Sequence, residues 1–193
     1  MVSVCFYFQV HQPIRLRKYS VFEIGHHNSY FDEHKNESII KKVTHKSYLP
    51  ANRVILDLIN RTDGKFKVAY SMTGIVLEQL EKYAPEVIES FRQLVNTGCV
   101  EILDETYHHT LSYLYSKEEF KEQILLHNKK IKQLFNYKPN IFRNTELVYN
   151  NEIASFIEKM GYKGILAEGA DHILQWRSPN FVYRPKGSSK IKL

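Results

Sequence analysis

Apolar runs and helical stripes alternate along the chain. Residues 2–10, VSVCFYFQV, form a near-continuous run of the kind that makes a parallel strand buried on both faces, and Pro13 stops the pairing. From Ile14 to Tyr48 the periodicity fades, which predicts a long functional loop with a short helix near Ser38–Val43. Val54, Ile55, Leu58 and Ile59 then mark one face of a helix over Ala51–Arg61, with Pro50 suited to its start. Asp63-Gly64 makes a turn into a second strand, Phe66–Ser71. Helices follow over Ile75–Tyr83 and from Pro85, where Val87, Ile88, Phe91, Leu94 and Val95 keep helical spacing before Gly98 ends the element. Cys99–Leu103 reads as the third strand.

Ser116 and Glu119 have capping-box spacing, and the helix they open turns Phe120, Ile124, Leu125, Ile131, Leu134 and Phe135 inward. Ile141 and Phe142, primed by Pro139, are the fourth strand. Asn150 caps a helix whose Ile153, Phe156, Ile157 and Met160 face inward before Gly161. Gly164–Ala167 is a fifth strand, and Phe181–Arg184 can start a sixth. Such alternation implies an α/β fold with a parallel sheet. No GxGxxG or GxxxxGK[ST] fingerprint follows any strand, which favours a barrel over an open nucleotide-binding sheet. Five or six strands do not close a barrel, so residues 1–193 read as a single domain that stops mid-fold.

Composition narrows the classes. The net charge of +6 could serve a polyanion, yet the lysines are spread along helical segments and the densest cluster is only Arg15, Arg17 and Lys18. Neither nucleic acid nor a membrane is therefore the expected partner. Two cysteines, Cys5 and Cys99, are too few for a disulfide framework or a thiolate metal cluster, and their strand positions suggest buried free thiols. The apolar N-terminus has no basic lead-in and no small-residue cleavage site, and no run reaches membrane-spanning length, so a cytoplasmic location is expected. Abundant Lys, Ile and Glu are associated with thermophiles. Nothing in the sequence sets the oligomeric state.

Candidate chemistry gathers at the carboxyl ends of the strands, where α/β active sites collect. Those ends carry Gln9, His11 and Gln12; Ser71 and Thr73; Asp104, Glu105, His108 and His109; Asn144 and Glu146; Glu168, Asp171 and Trp176. Glu146 stands where a strand hands over to a helix and can be a nucleophile, a metal ligand or a helix-start acid. Glu101 is an acid within an apolar strand; pointing inward it would need a partner, and His11 is one candidate. The set suits glycoside cleavage by paired carboxylates. It also admits metal-assisted hydrolysis, as in a carbohydrate deacetylase, with His11, Asp104 and His108 or His109 as ligands. No GxSxG elbow supports a serine nucleophile.

Val10-His11-Gln12-Pro13, Gly98-Cys99-Val100-Glu101-Ile102 and Phe142-Arg143-Asn144-Thr145-Glu146-Leu147-Val148-Tyr149 occur in this order, each at a strand end. Through these motifs, and across most of the chain to about His172, the sequence resembles the N-terminal part of glycoside hydrolase family 57, the α-amylase and 4-α-glucanotransferase family, which implies that residues 1–193 are the N-terminal portion of a single catalytic barrel. The resemblance implies an incomplete (β/α)7 TIM-like barrel, a retaining mechanism, α-glucan substrates, and neither cofactor nor metal. Residue by residue, Glu146 matches the catalytic nucleophile, and His11 and Glu101 match residues lining the sugar site. Gln9 lies where some members carry another histidine, and Gln12 completes the first motif. Phe142 and Tyr149 stand roughly where tryptophans commonly flank the glutamate. Tyr107, Tyr149 and Trp176 are candidates to stack on sugar. The family's acid/base aspartate lies in a later motif that has no match before Leu193; Asp171 is the nearest acid but follows the wrong strand. The alternatives are a 4-α-glucanotransferase, the metal-dependent deacetylase, and a non-catalytic remnant that binds glucan or polyanion.

Overall fold

The computed structural model describes residues 4–26, 29–187 and 190–193. Its five strands are β1 (Phe6–Val10), β2 (Val68–Met72), β3 (Val100–Leu103), β4 (Ile141–Arg143) and β5 (Gly164–Leu166), all paired in parallel. One ladder runs β1-β2-β3 and a second β4-β5. A single bridge between Asp104 and Phe142 joins them: the Asp104 N–H donates to Ile141 at 2.9 Å, and the Arg143 N–H donates to Asp104 at 2.8 Å.

Parallel neighbours need a crossover, and each crossover here is helical. The helices are α1 (Glu33–Val43), α2 (Leu49–Arg61), α3 (Gly74–Tyr83), α4 (Pro85–Asn96), α5 (Lys117–Phe135), α6 (Asn151–Lys159) and α7 (Asp171–Leu174). Asn150 caps α6 through the Ile153 N–H at 2.8 Å. Ser116 caps α5 through the Glu119 N–H, but the Glu119 carboxylate bonds Gln123 instead of closing the box.

Several expectations need correction. Strand β1 is not buried on both faces: Phe6 and Phe8 are exposed and Val10 is its one buried residue, because its outer edge has no strand partner among the described residues. Val2 and Ser3 lie outside those residues. Cys5 is exposed ahead of the strand, so only Cys99 is a buried thiol. The supposed long loop holds α1, which runs through a π-helical turn, Thr44–Tyr48, into α2. Its periodicity is faint because α1 buries only Asn36 and Ile40. Leu125, expected inward, is exposed. No strand forms over Phe181–Arg184; Lys192 bridges to Gly164 beside β5, while Tyr183 pairs with Leu193 through two backbone bonds of 2.9 Å.

Two hydrophobic cores result. The first packs Val68, Tyr70, Met72, Val100 and Ile102 against α2, α3 and α4. The second joins Phe120, Phe142, Ile153, Ile157 and Ile165. Helix α5 serves both, Ile124 in the second and Ile131 in the first. Between them, fully buried His127 reaches Asp104, at the point where the ladders meet. Asp104 also accepts from Asn128 at 2.9 Å, from the Glu105 N–H at 3.0 Å and from the Tyr162 hydroxyl. The other His127 nitrogen donates to the Met72 carbonyl at 2.7 Å. Burial opposes a charge on His127, but the field and hydrogen bond of Asp104 outweigh it and raise the imidazole pKa.

Candidate active site

Side chains alternate across a strand, so neighbouring acids diverge. Asp104 turns toward α5. Glu105 turns the other way, where Arg143 approaches it with Nη1 at 3.8 Å. From β1, the side-chain amide oxygen of Gln9 accepts from Arg143 Nη2 at 3.2 Å. His11, just past β1, bonds Thr73, just past β2, at 3.0 Å. Its ring stacks on His109 with centroids 4.3 Å apart. His109 reaches Glu105 at 3.4 Å through Nδ1 and Glu146 at 3.1 Å through Nε2. Four strand ends thus meet in one cluster.

Glu146 is not a helix-start acid. It sits in a 3-10 turn, Thr145–Leu147, with φ of 52°, followed by Leu147 at 56°. Left-handed backbone at two successive side-chain-bearing residues is strained by about 1–3 kcal/mol each, and such strain clusters at functional sites. Thr106 and Thr145 join the loop carrying His109 to this turn by a buried hydroxyl pair at 2.9 Å. The Glu146 side chain is 71% exposed. It borders a cleft of about 470 Å³ whose walls include Val148, Tyr149, Glu168, Ile173, Phe181 and Tyr183.

The two stacked imidazoles differ. The hydrogen bond that Glu105 accepts raises the His109 pKa, burial opposes it, and Glu146 adds to the rise. Burial lowers that of His11, and the neighbouring His109 lowers it further. Two cations at their separation would repel by about 4 kcal/mol at an effective dielectric of ~20, so a proton on either ring disfavours one on the other. Beneath Glu146, Oε1 of Glu105, Nε and Nη1 of Arg143 and Oδ1 of Asn144 are buried without a hydrogen-bond partner among the described residues.

The expected site residues divide. Gln9, His11 and Glu146 come together through Arg143, Thr73 and His109, and Tyr149 shares the cleft with Glu146. Gln12 turns away: Arg15 donates to its side chain at 2.8 Å and Gln79 to its carbonyl at 2.8 Å. Glu101 does not pair with His11. It aligns with Ala69 and Tyr7, four residues or roughly 13 Å upstream of His11 along the sheet, and lies near the hydroxyl of Tyr137, whose pKa burial raises and Glu101 raises further. Asp171 and Trp176 are exposed and outside the cleft lining, and Tyr107 is buried against Gly74. The proposed metal ligands also separate. Asp104 is spent on His127, and His108 on Gln123; among the described residues no three His, Cys, Asp or Glu side chains are gathered as a metal ion requires. Thr73 and Glu105 stood out at strand ends without a role, His109 stood only among the alternative metal ligands, and Arg143 was missed. Its one sequence signal is its place three residues before Glu146.

Residues 5–193 match the model of glycosyl hydrolase family 57. The chain belongs to that family. It is 44% identical over 196 residues to a Methanocaldococcus jannaschii protein provisionally named an alpha-amylase, covering 98% of this chain and 41% of that one. An alpha-amylase of Pyrococcus horikoshii is 26% identical over 132 residues, which is 68% of this chain and 20% of that protein. This family 57 chain therefore spans well under half the length of these relatives. In fold it resembles the 4-alpha-glucanotransferase of Thermococcus litoralis, with a TM-score of 0.73, 18% identity, and coverage of 97% of this chain and 26% of that one. An alpha-amylase of Thermotoga maritima gives 0.64 at 14% identity, covering 93% and 42%. Among the described residues no helix is long and apolar enough to cross a membrane.

Proposed function

We propose that this chain is part of a retaining α-glucan-active enzyme, of α-amylase or 4-α-glucanotransferase type, and that Glu146 is its nucleophile. The reading rests on the position of Glu146: an exposed carboxylate at the end of a parallel strand, in strained backbone, bonded by His109 at the mouth of a cleft. Glu146 attacks the anomeric carbon as the glycosidic C–O bond breaks, and the leaving oxygen takes a proton from a second carboxyl group that enters the step protonated and leaves it as the carboxylate. Water or the hydroxyl of another sugar then releases the covalent glycosyl group.

His11 and Gln9 edge the sugar position, and Tyr149 offers an aromatic wall. The five strands, in sequential order and joined by helices, support assignment to the opening of an incomplete (β/α)7 barrel. The relatives run well beyond the length of this chain, and we assign the proton donor to that further part. The test is trapping with 5-fluoro-α-D-glucosyl fluoride followed by peptide mass mapping, in the longest gene product and in this chain. Expected is a glycosyl adduct on Glu146 that Glu146→Gln abolishes. An adduct on another carboxylate, or full activity on maltooligosaccharides in Glu146→Gln, overturns the reading.

A further inference from the structure

We propose that His109 is the positioning residue for Glu146, acting as a doubly protonated imidazolium strung between Glu105 and Glu146. The inference rests on the reading of Glu146 as nucleophile and adds what holds it. Both ring nitrogens face carboxylate oxygens, at 3.4 and 3.1 Å. An ionised carboxylate only accepts, and a neutral imidazole donates from just one nitrogen. With both glutamates ionised, the two bonds exist together only in the cation.

Charge around the ring agrees. From the loop after β3, fully buried Glu105 needs positive neighbours; Arg143 on β4 stands 3.8 Å away and already donates to Gln9. From the turn after β4 comes Glu146. From the end of β1, His11 stacks on the ring and itself contacts Thr73 rather than an acid. With His11 neutral, Arg143 and His109 balance Glu105 and Glu146. The pKa directions of the two histidines follow the same division.

The ring is fixed before it meets Glu146. His109 adopts left-handed backbone, with φ of 57°, and its N–H donates to Thr106 at 3.1 Å. The Thr106–Thr145 hydroxyl pair then fastens that loop to the turn of Glu146. The bond from Nε2 engages Oε1 of Glu146 and leaves the second oxygen unengaged by His109. Loss of the His109 proton at alkaline pH removes one of the two bonds, so the nucleophile or its buried partner is released.

The experiment is ¹⁵N NMR of the histidine-labelled chain from pH 5 to 9, with His109 assigned by the signal lost in His109→Gln. Expected are two protonated-type ring nitrogens persisting above the ordinary imidazole value of about 6.5. Glu146→Gln, at an exposed position, should lower the midpoint by about half a unit, and Glu105→Gln by more. A neutral-tautomer spectrum at pH 6, or a midpoint unmoved by Glu146→Gln, overturns the inference even if Glu146 is the residue trapped by the glycosyl fluoride. Trapping of a different carboxylate overturns the nucleophile reading, and with it the positioning role, whatever the imidazole does.

Discussion

Asp104→Ala tests the joint between the two ladders. It removes the acceptor that four donors share in a site with no solvent exposure: His127 Nδ1, the Asn128 amide, the Tyr162 hydroxyl and the Glu105 N–H. Stripping one partner from a buried ion pair costs about 3–5 kcal/mol. For a chain of this size that corresponds to a fall in Tm of roughly 6–20 °C. Tyr162→Phe, which deletes one neutral donor, should cost only about 1 kcal/mol. The pH dependence has a definite sign. The His127 pKa is raised by folding, so its contribution is complete below the unfolded value of about 6.5 and fades as pH rises through the folded value. The gap between wild type and Asp104→Ala should therefore be widest near pH 6 and narrow in alkali. Urea unfolding followed by circular dichroism at pH 6, 7.5 and 9 measures it. A loss below about 1 kcal/mol, or a gap that grows with pH, would refute the brace.

Two further substitutions probe backbone and close packing. Gly74→Ala would drive its Cβ into the ring of buried Tyr107, whose hydroxyl is tied to Glu78, and should cost about 1–3 kcal/mol by thermal melt; an unchanged Tm would mean the ring swings aside freely. Glu146→Gly should do the opposite, relieving left-handed backbone and stabilising the chain by about 1 kcal/mol while ending glycosyl trapping. A destabilised Glu146→Gly protein would show that its turn is not strained.

Much of the fold was legible locally. Helices α2 to α6 announce themselves through 3.6-residue stripes and through Pro50, Pro85, Ser116 and Asn150 at their starts, because amphipathicity and capping are properties of a few consecutive residues. The strands are equally local in their apolar character. Exposure of β1 was not legible, since whether Phe6 and Phe8 are covered depends on a neighbour distant in sequence or absent. Glu101 misled for a similar reason. An acid inside a strand states that it needs a partner, but register sets His11 some four residues further along the sheet and leaves Glu101 near Tyr137 instead.

The amino-acid sequence by itself determined the α/β class, the order of elements and the strand ends on which polar chemistry collects, Glu146 among them. Short-range forces suffice for that: hydrophobic period, turn chemistry and the fixed φ of proline act within a helical turn or two. Tertiary structure alone decided which of those polar residues meet. Adjacent Asp104 and Glu105 went to opposite faces, one to brace His127 and the other to hold His109. Arg143 acquired partners more than thirty residues away. Pairing register and the packing of α5 across both cores set those distances, and Coulomb interactions and hydrogen bonds over 3–4 Å act only once packing has brought the groups together.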